Sequence, residues 1–322
     1  MDDVILRALK TRPATVSELA ERCQTSEEII RARLLQLELA GFVFTAHPAL
    51  GITLSDSPKH LVGDLILSAI PEDCAPKSIT VYQSTRSTND LAHQAALNNS
   101  PRPAVFIAEE QSGGRGRNGK SWSSPPNLGL WMSLLLTPNH PLQHWPRITT
   151  TAATLIANTL RSTLSLPVQI KWPNDLWIGS SKLAGVIAET GTSSQGPYVV
   201  LGIGINALHS SSDFPPELRS TATSLKIHLA QPPCRNALAS NVLRTLAQID
   251  HSISDQGFSA ILQEARKLSC VIDKSIEFDL NGERLSGRAI DLNDEGHLVL
   301  LTADGSERIL HSGEVTHIRP SC

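Results

Sequence analysis

The stretch GRGRNGKS, Gly114–Ser121, followed at once by WSSPP, Trp122–Pro126, constrains the chain more than any other. Its letters fit the phosphate loop of nucleotide-hydrolysing enzymes: Gly, four residues, Gly, Lys, Ser. Such a loop leaves a buried strand and opens a helix, whose first amides cradle the phosphates. The upstream strand is available in AVFIA, Ala104–Ala108, although Glu109, Glu110, Gln111 and Ser112 intervene before the glycines. The helix is not available, because two prolines remove donors and forbid its continuation. A phosphate-loop fold is excluded. What remains is a glycine-rich loop with Arg115, Arg117 and Lys120, a costly composition for a mere linker and a suitable one for holding an anion.

At 322 residues the chain is too long for one ordinary domain. A 40% hydrophobic share supports a globular core, and a formal charge of −3 gives no global attraction to nucleic acid or anionic membrane. An acidic start, no signal-peptide layout and no run approaching a membrane span predict a cytoplasmic protein. Five cysteines, Cys23, Cys74, Cys234, Cys270 and Cys322, contain no CxxC pair and suit free thiols in a reducing compartment.

Three regions follow from changes in periodicity. In the first, Val4–Lys10 has helical apolar spacing, Thr15–Glu18 is a capping box, and Thr25–Glu28 resembles a second. The second box would open a long helix with Ile30, Leu34 and Leu37 inward, ended by Gly41. The short turn between the boxes suggests a helix-turn-helix, and Phe42–Leu54 reads as a two-stranded wing. Asp56, Ser57 and Pro58 open a linker. From about Lys77 the pattern is mixed: strands SITVY, AVFIA, LWMSLLL, PVQIKW, KLAGVIAE and YVVLGIGIN, with helices at Asn89–Leu97, Arg147–Leu164 and Ala237–Gln256. After Cys270 come short strands separated by NG, NDEG and ADG turns, the pattern of a small β-barrel.

Four stretches of the middle region could carry chemistry. Ser87–Asp90 (STND) places hydroxyls and an amide after a strand, where helix capping is the bland reading. The glycine loop is the second. In the third, Ile170–Gly185 (IKWPNDLWIGSSKLAG), a hairpin would return Lys182 to the Asn174-Asp175 turn, on one face with Ala184, Val186 and Ala188. A lysine on a small apolar face needs a partner. The fourth, LGIGINA, loosely fits a dinucleotide pattern, but HSSSDFPPE follows where a phosphate-binding helix should start, so a Rossmann site is rejected. Asn206 could still read a purine edge. Among 11 histidines no triad order or HExxH helix supports a hydrolase or zinc enzyme.

STN, GRGRNGKSW, KWPNDL, KLAG and GIGIN, in this order and spacing, resemble the biotin–protein ligases, most closely the bacterial kind that is also the biotin operon repressor. The resemblance covers essentially the whole chain. It implies an α/β (α+β) multidomain protein: a winged helix-turn-helix over 1–56, a class II aminoacyl-tRNA-synthetase-like ligase domain over 66–269, and a Src-homology-3-like β-barrel over 270–322. It implies biotin and ATP as substrates with Mg²⁺ on the ATP phosphates, biotinyl-5′-AMP as intermediate, and a lysine of biotin carboxyl carrier protein (acetyl-CoA carboxylase) as acceptor.

Carried over by motif, the biotin site would take Ser87, Thr88, Asn89, Gln111, Arg115, Gly116, Arg117 and Lys182. The nucleotide would meet Lys171, Trp172, Asn174 and Asn206. Catalysis would rest on Lys182, Arg115 and Arg117, with Asp175 orienting or deprotonating the acceptor amine. The unstructured Ala207–Leu225 loop would close over adenine, where no tryptophan is present and Phe214 could substitute. A lipoate–protein ligase-like acyltransferase is the nearest rival, and the double-Arg loop and intact KWPND argue against it. The resemblance also implies an adenylate-bound homodimer on operator DNA, with Ser26, Arg31 and Arg33 as contacts. Against this, residues 1–54 carry six cations and seven anions, poor endowment for neutralising phosphates, so a ligase whose winged helix does not bind DNA stays open.

Overall fold

The computed structural model describes residues 1–48, 50–280, 283–311 and 313–319. The head comprises α1 (Asp2–Thr11), α2 (Val16–Cys23), α3 (Glu27–Leu39), β1 (Val43–His47) and β2 (Gly51–Asp56). Ile5, Leu6, Leu9, Leu19, Ile30, Leu34, Leu37 and Phe42 form its core. The Thr15–Glu18 capping box is complete: Thr15 Oγ1 accepts from the Glu18 amide at 3.1 Å, and Glu18 Oε2 accepts from the Thr15 amide at 2.8 Å. The second box does not form. Ser26, not Thr25, caps α3 by accepting from the Ile29 amide, because Thr25 still belongs to the turn after Gln24, whose φ is +52°. The wing joins Val43–His47 to Gly51–Asp56 in antiparallel register.

The central body contains α4 (Gly63–Leu67), β3 (Ser78–Thr85), α5 (Thr88–Leu97), β4 (Ala104–Gln111), β5 (Gly129–Leu136), α6 (Arg147–Leu164), β6 (Gln169–Lys171), β7 (Asp175–Ile178), β8 (Ser181–Ser193), β9 (Gly196–Asn206), α7 (Leu225–His228), α8 (Arg235–Leu246), α9 (Ile249–Ser252) and α10 (Asp255–Leu268). Its seven strands run in the order β3-β4-β5-β9-β8-β7-β6, parallel only between β3 and β4. Helices α6, α8 and α10 bury one sheet face. Helix α5 covers part of the other, with Ala92, Ala95 and Ala96 against Phe106, Leu135 and Val200. The single helix expected over Ala237–Gln256 is broken: α8 ends at Leu246, α9 is one turn, and Ser254 caps a new helix through the Gly257 amide.

Residues after Pro58 do not hang free. Leu61 and Ile66 enter the body core while Leu65 enters the head core. The Arg235 guanidinium pairs with Glu109, both only 2% exposed at the side chain. Glu109 Oε1 also accepts from the Leu61 amide at 2.6 Å, and Asn236 accepts from the Val62 amide at 2.9 Å. From the head, Lys10 donates to the Leu65 carbonyl at 3.3 Å and Ser68 at 3.1 Å, and Arg7 to the Leu67 carbonyl at 3.3 Å. These cations add a second bond to carbonyls at the C-terminal end of α4, which also accept from the Ser68 hydroxyl and the Ile70 amide.

The last unit is an antiparallel sheet of β10 (Ser275–Leu280), β11 (Glu283–Leu292), β12 (Leu298–Leu301), β13 (Glu307–Leu310) and β14 (Glu314–Arg319). Its order is β13-β12-β11-β10-β14, so the two edge strands are consecutive in the chain, the connectivity of a small barrel. The NG turn at 281–282 lies outside the described residues, as does Cys322; the four described cysteines are free. No helix among the described residues is long and apolar enough to cross a membrane.

Candidate active site

A cavity of about 430 Å³ opens on the sheet face beyond the N-terminus of α5. All thirteen ligand-site candidates named from the sequence line it: Ser87, Thr88, Asn89, Gln111, Arg115, Gly116, Arg117, Lys171, Trp172, Asn174, Asp175, Lys182 and Asn206. Ser26, Arg31 and Arg33 lie apart, on the head.

One wall is polar and prearranged. Ser87 occupies the cap position of α5 but makes no side-chain cap bond. Gln111 Oε1 instead accepts from the Thr88 amide at 2.8 Å and the Thr88 hydroxyl at 3.1 Å, and Gln111 Nε2 donates to Ser124 at 2.9 Å. Ser133 Oγ bonds Thr88 at 2.7 Å and Asn89 Oδ1 at 2.6 Å. Buried polar groups of this kind specify a ligand only when their partners fix their orientation, and these are fixed.

The glycines of GIGIN have a different job from the one a phosphate motif would give them. A Cβ on Gly202 would stand 2.5 Å from Asn89 Oδ1, and one on Gly204 would stand 2.6 Å from the Trp122 ring. They make room for side chains from the STN and GRGRNGKSW motifs to cross the sheet face. The Trp122 indole packs edge-on to Trp131 with centroids 6.3 Å apart.

The cations arrive from two elements. Arg117 donates to Asn174 Oδ1 at 3.1 Å, tying the glycine loop to the KWPN turn, while Asn174 Nδ2 donates to the Val186 carbonyl at 2.8 Å. Arg115 is spent differently: it donates to Asp90 at 2.6 Å and lies 3.7 Å from Glu189, so its charge is matched by two carboxylates. Glu189 accepts from His93 at 2.9 Å and Asn89 at 3.0 Å, and the His93 bond is the main reason its carboxyl titrates below the usual range.

Lys182 is the principal correction to the sequence reading. It does not share a face with Ala184 and Val186. A bulge against β7 pairs Trp177 with Lys182 but Leu176 with Ala184, so Leu183, Ala184 and Val186 all enter the core while Lys182, Gly185 and Ile187 face the cavity. Its ammonium lies 2.8 Å from Asp175 and 5.2 Å from the centre of the Trp122 ring. Asp175 is therefore engaged by Lys182 rather than standing free as a base. Lys171 lies 4.4 Å from the centre of the Trp177 ring.

The 207–225 segment is not unstructured. A Ser210–Asp213 capping box opens it. Lys182 pairs with Ala222 through two backbone bonds, its amide to Thr221 at 2.7 Å and its carbonyl from Thr223 at 2.9 Å. Asn206 Nδ2 donates to the Thr223 carbonyl at 3.0 Å, leaving its oxygen for other partners. Phe214 lies flat on His209, centroids 4.6 Å apart and planes within 6°. His209 is 1% exposed, and burial pushes its pKa down to about 4, so the ring is neutral.

Sequence reasoning missed His209, Trp177 and the three cavity residues from the terminal sheet, Gly313, Val315 and Thr316. His209 was readable as an aromatic five residues before Phe214; the terminal sheet's contribution is purely tertiary. Trp172 is buried, donates to the Gly296 carbonyl at 3.0 Å and packs on Phe278 at 6.1 Å, so it fastens that sheet over the cavity.

The site thus combines a fixed amide-and-hydroxyl wall, aromatic rings and anchored cations. Comparison with known proteins gives the family. The profile of the biotin/lipoate A/B protein ligase family matches residues 81–206, that of the biotin protein ligase C-terminal domain 271–317, and that of the DprA winged helix domain 2–47. The bifunctional ligase/repressor BirA of Bacillus subtilis is 29% identical over 295 residues, 91% of this chain and 90% of that protein. The biotin–[acetyl-CoA-carboxylase] ligase of Mycobacterium tuberculosis is 31% identical over 250 residues, 76% of this chain and 90% of its own length. A solved biotin protein ligase from Aquifex aeolicus, in complex with biotin and ATP, superposes with a TM-score of 0.64 over 76% of this chain and all of that one, at 24% identity, a likeness of fold. On the Mycobacterium relative's identity and coverage, the chain belongs to the biotin–protein ligase family.

Proposed function

We infer that this protein joins biotin to ATP, forming biotinyl-5′-AMP, and passes the biotinyl group to a lysine of a biotin carboxyl carrier domain. The observation that carries this reading is the convergence of all five motifs on one cavity, which holds both anchored cations and a fixed amide-and-hydroxyl wall. A carboxylate oxygen of biotin attacks the α-phosphorus, and the bond to the β-phosphate oxygen breaks, releasing pyrophosphate. Two anions must approach, so the barrier is mainly electrostatic. Lys182 and Arg117 would offset charge on the reacting oxygens, and Arg115, held by Asp90 and Glu189, would set the loop that carries Arg117.

Mg²⁺ would travel on the ATP phosphates, screening their charge. Phe214 and His209 supply an aromatic surface for a flat base, and the oxygen of Asn206 an acceptor for its edge. In the second step a neutral lysine amine attacks the mixed-anhydride carbonyl, and the carbon–oxygen bond to AMP breaks. Asp175 would steer that amine only in exchange with Lys182. The 207–225 segment would keep water from the anhydride. The need for ATP and a carrier substrate supports a cytoplasmic location.

Incubation with biotin, ATP, Mg²⁺ and a carrier domain should yield a streptavidin-reactive carrier. Folded protein that labels none would remove the ligase reading, and labelling by lipoate in place of biotin would favour the acyltransferase rival.

Repression enters through the names of the BirA relatives. The corresponding reading is a homodimer, formed with the adenylate, placing two heads on an inverted-repeat operator; two weakly held half-sites would then add. Fluorescence anisotropy with DNA from upstream of biotin-biosynthesis genes, with and without adenylate, tests it.

A further inference from the structure

Helix α3, the element that would read an operator, presents an outward face poorly suited to phosphate. Ile29, Leu35 and Leu39 are 47%, 55% and 75% exposed, and Val43 just beyond is 50% exposed. Glu28, Ala32, Leu35 and Leu39 recur at spacings of four, three and four, a heptad-like seam that is open to solvent. The head holds six of the ten exposed large apolar side chains found among the described residues, a concentration that marks an association surface. Its flanking charges are ordered. Arg31 lies on one side of the seam, held only by an exposed contact to Glu27 at 3.1 Å, and Glu38 lies on the same side one heptad later, with no partner among the described residues.

We propose that this face of α3 docks on α3 of a second copy of this chain, antiparallel, in the ligand-free protein. The pattern selects that occupant. Two such seams laid antiparallel put Leu35 on the partner's Ala32 and Leu39 beside the partner's Glu28, whose methylenes can cover it. The same alignment brings Arg31 to the partner's Glu38, and by symmetry Glu38 to the partner's Arg31, two complementary pairs from one sequence. A parallel arrangement would set Arg31 against the partner's Gln36 and give neither Arg31 nor Glu38 an opposite charge. A 13-residue helix is roughly 20 Å long, so the interface is small and the association weak. It covers the residues with which α3 would enter a groove, so self-docking and operator binding exclude each other. This deepens the repressor reading, as a resting form that must open, and leaves the ligase reading untouched.

Sedimentation velocity of the ligand-free full chain, from about 1 µM to 1 mM, tests it. The wild type should self-associate, and Leu35→Asp should weaken this at least ~10-fold. Arg31→Glu or Glu38→Arg alone should weaken it about fivefold, and the two together should restore it. Carrier biotinylation, read in parallel, should be equal in all variants; its loss would report misfolding or failure of the ligase reading, against which the charge-swap rescue stands as an independent arm. A wild type that stays monomeric throughout, or self-association indifferent to Leu35→Asp and to the charge changes, would overturn the proposal. So would loss of operator binding in Leu35→Asp, since release of α3 should raise that binding and loss would make the seam a DNA-reading surface.

Discussion

The head and the cavity both hold clusters of basic residues, and they use them in opposite ways. In the head, Arg7 and Lys10 donate to carbonyls at the end of α4, Arg12 lies 3.3 Å from Glu18, Arg31 meets Glu27 and Arg33 meets Asp2. Among the described residues of the head only Arg22 lacks such a partner. In the body, Lys182 and Arg117 are likewise anchored, but their anchors, Asp175 and Asn174, line the cavity themselves. The head's charge maintains architecture, whereas these two cations of the body line a space large enough for a ligand. Counting cations in a sequence cannot separate these uses; only the partner of each cation does.

The comparison breaks first at a basic residue of the body that behaves like those of the head. Arg235 and Glu109 are sealed together beneath the segment joining head and body. Arg235→Ala would strand a buried carboxylate and should cost about 3–5 kcal/mol of unfolding free energy. Urea unfolding measures it, and a loss below ~1 kcal/mol would mean that Glu109 finds water on its own.

At the cavity the effect should move from stability to rate. Lys182→Ala should leave the fold intact and slow adenylate formation about a hundredfold, about 3 kcal/mol of transition-state stabilisation. Pyrophosphate release with biotin and ATP reads it. A rate within a few-fold of wild type would make Lys182 a partner for Asp175 and nothing more.

His209 sharpens the contrast through pH. Its folded pKa is about 4, lowered by burial from the ordinary histidine value of 6.5. The unfolded chain therefore binds the proton first as pH falls, so the stability from the neutral buried ring is full above pH 6.5 and drains away towards pH 4. Between pH 7.5 and 5 the wild type should lose roughly 2 kcal/mol more than His209→Gln does. Thermal unfolding at both pH values decides it, and parallel curves for the two proteins would show that the ring is solvated.

These cases also show what the sequence made legible. The cavity's contributors could be named because each motif carries its polar residues within a few positions. The face of Lys182 could not be, since one bulge at Leu183, opposite the Leu176–Trp177 step, reverses the alternation on which the expectation depended. Helix α10 escaped because the helical pattern was drawn straight through the Ser254 cap. Glu109 and Arg235 are 126 residues apart, and no local pattern links them. The Trp172–Phe278 contact that closes the cavity is likewise set by tertiary packing.

The smallest effect tests the head. Arg33 binds Asp2 through two bonds, at 2.9 and 2.6 Å, joining α3 to the start of α1. Arg31 reaches only Glu27 on its own helix. If both arginines were DNA contacts, each alanine variant would weaken operator binding by a similar factor and change stability little. The geometry separates them. Arg33→Ala removes a bidentate pair whose Asp2 side chain is 13% exposed, and should cost up to ~1 kcal/mol of head stability with little direct effect on DNA. Arg31→Ala removes an exposed i,i+4 pair worth no more than ~0.5 kcal/mol. Its effect on DNA should appear as a lower salt slope of binding, by about one unit per head, because Arg31 is free to trade Glu27 for a phosphate. Anisotropy across a salt series, paired with thermal unfolding, distinguishes the two arginines. Equal salt slopes for both variants would mean that Arg33 leaves Asp2 when DNA arrives, and that the head's charge is less committed to architecture than its ion pairs indicate.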